Sequence, residues 1–148
     1  MSTVRVLLRC CVLITVALVL LTCSSADGVD TKRLMNPCSK GTGNTNRNAP
    51  IVCVDDTGAT LSVNPDPVKV NSVGESDRQP VVIHWWTRSG GNMLNIEIKD
   101  GCVTDVSCNG GHCKARTLPV NAHTQCKYDV WTDKHPKLDP DIEIDPCC

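Results

Sequence analysis

A few short groupings in this sequence carry residue types that can do chemistry. Cys108-Asn109-Gly110-Gly111-His112-Cys113 brings two thiols and an imidazole close together, with Cys102 and Cys126 nearby in sequence. Zinc takes Cys and His at such spacing, but in an oxidising compartment the same thiols pair as disulfides and His112 is left as a loop histidine. Asp56-Thr57-Gly58-Ala59 has the lettering of the aspartic-protease tetrad, where two such aspartates share a proton. The residue before that aspartate is normally apolar, and here it is Asp55. An Asp-Thr-Gly turn accounts for these residues without catalysis. His84 stands beside Trp85 and Trp86 in a run of β-formers, which suits a strand-packed imidazole; the paired indoles serve equally as core or as a binding surface. The acidic tail of Asp129, Asp133, Asp139, Asp141, Glu143 and Asp145 lacks the spacing of a calcium loop and reads as a solvated edge. No Gly-X-Ser-X-Gly elbow or phosphate loop appears. The expectation is a chain that is not an enzyme and holds no cofactor or metal.

Whether those thiols oxidise depends on where the chain goes, and the N-terminus speaks to that. Arg5 and Arg9 lie near an uncharged apolar run from Cys10 to Leu21, and Ser24-Ser25-Ala26 follows. A basic region, an apolar core and small residues at the exit form a secretory signal, so residues 1–26 read as a signal peptide cleaved after Ala26. A membrane span needs roughly 20 apolar residues, and Arg9 cuts the run short of that. Leu20-Leu21-Thr22-Cys23 also resembles a bacterial lipoprotein signal with Cys23 as lipid acceptor, although Thr22 replaces the usual Gly, Ala or Ser. Lys32-Arg33 resembles the processing site of eukaryotic secreted precursors, which would make 27–33 a propeptide and Leu34 the mature start.

Eight cysteines follow the signal: Cys38, Cys53, Cys102, Cys108, Cys113, Cys126, Cys147 and Cys148. An even number behind an export signal implies a disulfide framework in a secreted protein, extracellular or periplasmic. With Arg5 and Arg9 removed in the signal, 13 Lys and Arg remain against 16 Asp and Glu. That balance argues against nucleic acid, whose binding draws on clustered cations. The chain has no Phe, and Trp85, Trp86, Trp131 and Tyr128 supply its aromatic bulk beyond the signal. Cross-links worth about 2–4 kcal/mol each then offset a thin core. Downstream of the signal no Asn-X-Ser/Thr site occurs, so N-glycosylation is not expected.

The elements that must position these residues are short strands. Residues 27–50 are loop-rich, tied at Cys38, and 51–148 carry the domain. Ile51 to Val54, Ala59 to Val63 and Val68 to Val70 read as strands, separated by Asp-Gly and Asn-Pro breaks. Pro80 to Trp86 is the strongest strand, and Met93 to Lys99 alternates with period two. Cys102 to Val106 and Gln125 to Thr132 follow as strands, and Ile142-Glu143-Ile144 reads as a last edge strand. Asn109-Gly110-Gly111 is a turn, and nothing beyond the signal sustains helical periodicity. Short strands with turns every 8–12 residues indicate an all-β fold, a small disulfide-stabilised β-sandwich or barrel.

Several of these pieces, in order, resemble a cupredoxin-like sandwich domain of exported proteins. They are Leu61-Ser62-Val63-Asn64-Pro65-Asp66-Pro67-Val68-Lys69-Val70, Val81-Val82-Ile83-His84-Trp85, Tyr128-Asp129-Val130 and Leu138-Asp139-Pro140-Asp141-Ile142, so the likeness covers about residues 60–145. The resemblance implies a copper site of two His and one Cys thiolate with a weak axial Met. Laid on this chain, Thr132 takes the thiolate position, His135 a histidine position and Leu94 the other, and no Met follows His135. The expectation is therefore a cupredoxin-like domain without blue copper, acting as a secreted, non-enzymatic binding or structural module on an extracellular protein or surface partner. The alternative is a processed cysteine-rich polypeptide, toxin-like or ligand-like, released after Lys32-Arg33.

Overall fold

The computed structural model describes residues 36–74 and 78–146. The expected signal peptide, Cys23 as expected lipid acceptor, the Lys32-Arg33 pair and the terminal Cys147-Cys148 lie outside the described residues. Within them the fold is almost entirely β. A short 3-10 turn over Pro37–Lys40 precedes nine strands: β1 Ile51–Asp55, β2 Ser62–Asn64, β3 Val68–Asn71, β4 Val82–Thr87, β5 Leu94–Ile98, β6 Val103–Asn109, β7 His112–Thr117, β8 Thr124–Thr132 and β9 Asp141–Asp145. They form a five-stranded sheet in the order β2-β1-β4-β7-β6 and a four-stranded sheet in the order β3-β9-β8-β5. Most neighbours are antiparallel; β1 with β4 and β3 with β9 are parallel.

Period two decides which side chains meet. In β4, Ile83, Trp85 and Thr87 are buried while Val82, His84 and Trp86 stay half-buried on the other face. In β7, Cys113, Ala115 and Thr117 point in, and His112, Lys114 and Arg116 point out. The second sheet alternates likewise, with Val68 and Val70, Tyr128 and Val130, and Ile142 and Ile144 all fully buried. Inner residues of both sheets belong to one hydrophobic cluster. At its centre Trp85 meets Tyr128 edge to face, with ring centroids 5.6 Å apart. Volume is matched across the first sheet: Trp85 pairs with Cys113 and Ile83 with Ala115, large beside small.

All six cysteines among the described residues are joined. Cys38–Cys53 clamps the N-terminal turn onto β1, Cys102–Cys126 links the entry to β6 in the first sheet with β8 in the second, and Cys108–Cys113 closes the β6–β7 hairpin. Cys38 and Cys53 are buried yet stand outside the main cluster, because Cys53 is on the outer face of β1 between Val52 and Val54. The first cross-link thus seals the outside of that strand. Nearby, Gly43 is required by close approach: a Cβ there would fall 2.2 Å from the Asn64 carbonyl oxygen and 2.5 Å from that of Ile51.

Three readings of the sequence change. Ile142-Glu143-Ile144 is not an edge strand: β9 lies between β3 and β8 and pairs with both. Residues 112–117, with no strand expected over them, form β7, the strand that bridges β4 and β6. The second strand starts at Ser62, later than expected, since residues 57–60 bend around the Asp55-Asp56 corner.

Candidate functional site

Where the copper resemblance places ligands, the chain has built a hydrogen-bonded corner. Thr132 ends β8 and pairs with Leu94 at the start of β5, and Leu94 is fully buried. The Thr132 hydroxyl oxygen accepts from the backbone N–H groups of Lys134 and His135, which turns the chain out of the strand. His135 Nε2 lies 3.0 Å from the Gly58 carbonyl oxygen, an acceptor only, so Nε2 carries the proton. Nδ1, 2.9 Å from Thr132 Oγ1, then accepts from the hydroxyl in the neutral ring. Thr132, His135 and Leu94 do come together, but the thiolate position holds a hydroxyl and both imidazole nitrogens are already engaged.

Asp56, of the tetrad-like run, lies in the adjoining loops and is almost fully buried. Its carboxylate accepts from the Ser89 N–H at 2.9 Å, the Ser89 hydroxyl at 2.5 Å and the Asn92 amide at 2.6 Å. Burial alone would raise its pKa, yet these donors together hold it below the ordinary carboxylate value. The neighbouring Asp55 is held down to about 2 by Thr57 and by Arg88, whose guanidinium is 2.7 Å away. Asp56 is therefore an ionised brace tying the β1–β2 turn to the β4–β5 loop. A shared-proton dyad needs a second carboxylate directly against the first, and Ser89 and Asn92 hold those places at Asp56.

The cysteine-histidine cluster resolves differently from a zinc site. Cys108 and Cys113 are bonded to each other, and among the described residues no group of three or more His, Cys, Asp or Glu is arranged to hold a metal. His112 is not a loop residue: it opens β7 and faces outward. Its ring stacks on Trp86 at 3.9 Å between centroids, 20° from parallel. Trp85 and Trp86, adjacent in sequence, thus go to opposite faces, one to the core and one to this outer surface.

His84 completes that surface. Its Nδ1 lies 3.0 Å from His112 Nε2. The two rings are within 8° of parallel with centroids 5.2 Å apart, too far for face-to-face contact and fitting near-coplanar rings that meet edge to edge. The pair is an imidazole–imidazole hydrogen bond in which one nitrogen donates and the other accepts. Burial, with the Lys114 cation, lowers the pKa of His84; burial, then His84 and Lys114, lowers that of His112. Both shifts favour the neutral ring. Nothing in the sequence announces this pairing across 28 positions, because it is created by the β4–β7 register that places His112 opposite Trp86 and Lys114 opposite His84.

The acidic tail is also not a bare solvated edge. On the outer face of the second sheet Lys69 pairs with Glu143, Lys99 with Asp129 and Asp139, Lys127 with Asp139 and Asp141, and Lys137 with Glu97 and Asp129. Lys137 also sits 4.5 Å over the Trp131 ring. Asp129, Asp139, Asp141 and Glu143 each have a cation, and Asp133 accepts from the Met93 N–H instead. No protein-family model matches the chain, and no curated protein is similar to it.

Proposed function

We propose that this chain is a secreted, non-enzymatic binding or structural module: a disulfide-stabilised β-sandwich of cupredoxin-like architecture that does not use blue copper. The observation that carries the reading is the Thr132–His135 corner, where the position of the thiolate is a hydroxyl locked to the imidazole beside it. The two-sheet strand order and the single core shared by both sheets support the sandwich. Three cross-links support an oxidising destination, since such bonds persist outside the cytosol. Among the described residues no helix is long and apolar enough to cross a membrane.

Cu(II) addition to the purified mature protein tests this reading, read by visible absorption, together with thiol alkylation before and after reduction. The expected result is no thiolate-to-copper charge-transfer band and no alkylation at the six paired cysteines until they are reduced. An intense charge-transfer band, or free thiols at Cys108 and Cys113, would overturn it.

A further inference from the structure

The outer face of the five-stranded sheet differs from that of the second sheet in how its charges are disposed. On the second sheet Lys69, Lys99, Lys127 and Lys137 all have carboxylate partners. On the first, Lys114 and Arg116 are two positions apart on β7, exposed, and make no ion pair among the described residues. They line an open groove of about 520 Å³ together with Val82, His84, Asp105 and Ser107. A second groove of about 260 Å³ adjoins it at Val82 and His84, so the half-buried imidazole stands between the two.

The register explains the convergence. His84 and Ser107 flank Lys114 from β4 and β6, and Val82 and Thr104 flank Arg116. Between Thr104 and Ser107 the pairing of β6 slips, and Asp105 takes a left-handed backbone, φ 56°. Asp105 lines the same groove and is, among the described residues, the carboxylate without a hydrogen bond or ion pair. Two cations, a hydroxyl and an imidazole therefore face one carboxylate, leaving the groove net positive. Val82, on the outer face of β4, gives it an apolar wall.

We propose that this groove binds an oxyanion, a sulfate, phosphate or carboxylate group of an extracellular ligand, between Lys114 and Arg116 with His84 as a third donor. The inference rests on the binding-module reading and gives that module a ligand class. Charge-assisted hydrogen bonds are the strong ones, and Arg offers a planar fork that matches such groups. His84 is hydrogen-bonded through Nδ1 to His112, which leaves its Nε2 to face the groove's ligand. An anion beside it favours the protonated ring, so binding tightens on acidification. The charged and titratable groups facing His84 are His112 and Lys114 from β7 and Asp105 from β6; β1 presents Ile51 there.

The test is a titration of the mature protein with inorganic sulfate, which keeps its charge through the pH range, at ionic strength fixed with chloride. Residue-resolved NMR shifts report the site. Saturable shifts are expected at His84, Lys114 and Arg116 and not at Lys99 or Lys137, with a lower Kd at pH 6 than at pH 8. Lys114→Gln with Arg116→Gln should weaken binding about a hundredfold, about tenfold for each of the two charge-assisted bonds. Asp105→Asn should tighten it. Shifts that never saturate, or a Kd unchanged in the Lys114→Gln/Arg116→Gln variant, would overturn the proposal. The copper and thiol measurements read neither residue, so failure of the groove and failure of the module reading are separable.

Discussion

At the scale of single residues, Asp56 shows how a charged group comes to be a structural part. Three donors from Ser89 and Asn92 converge on it, and none of them has another acceptor as well placed. Asp56→Asn turns one acceptor oxygen into a donor facing donors. A loss of about 1–3 kcal/mol at neutral pH is expected in denaturant melts, the cost of leaving buried polar groups unpaired. The sign with pH follows from the lowered pKa of both Asp55 and Asp56. The stability they add is complete above the ordinary carboxylate value of 3.8 and is lost as pH falls toward about 2, where Asp55 titrates. Melts of the wild type between pH 5 and 2 (roughly the window set by such shifts) should fall steeply, and those of Asp56→Asn more gently. An equal slope in the two proteins would assign the acid sensitivity elsewhere.

At the scale of elements, the cross-links differ in what they constrain. Cys102–Cys126 encloses 24 residues and joins the two sheets, whereas Cys108–Cys113 encloses 5 within one hairpin. Loop-closure entropy then gives about 3.5 kcal/mol for the first and about 2 kcal/mol for the second. Paired Cys→Ala variants should rank in that order by chemical denaturation, and the reverse order would rule out the entropic account. Some of these elements were legible in the sequence because their pattern is local. Val81 to Trp86 is dense in β-formers, and Leu94, Ile96 and Ile98 alternate against polar residues. β7 was not, because its inward residues are Cys113, Ala115 and Thr117, kept small beside Trp85 and Ile83. A strand whose buried side chains must be small has little hydrophobic signal to show. The His84–His112 bond was illegible for a related reason, since register between strands is a property of the pair. The closeness of Thr132 and His135 follows from their spacing of three residues on one turn, but the bond between them was not read.

At the scale of the whole molecule, the least expected feature is the place of the last strand. The Asp141-Ile142-Glu143-Ile144-Asp145 sequence has the acids of an edge, and those acids are matched by Lys69, Lys127, Arg47 and His123 from neighbouring segments. Ile142 and Ile144 are fully buried, worth about 1.5–3 kcal/mol each on transfer from water. Against a total stability of about 5–15 kcal/mol for a domain, deleting them removes a large share and also strips β3 of its neighbour. A chain ending at Pro140 is expected to show no cooperative thermal transition by circular dichroism. A transition within a few degrees of wild type would mean that β3, β8 and β5 hold without β9.

That interior position also orders events in time. The ribosome delivers β3 about seventy residues before the strand it pairs with, and β8 arrives with one flank still open. Until residue 145 has emerged, Val68, Val70 and Tyr128 have no completed sheet to bury them. The second sheet of the architecture therefore waits for residue 145. A polypeptide of this design cannot close its second sheet before its ninth strand has been made.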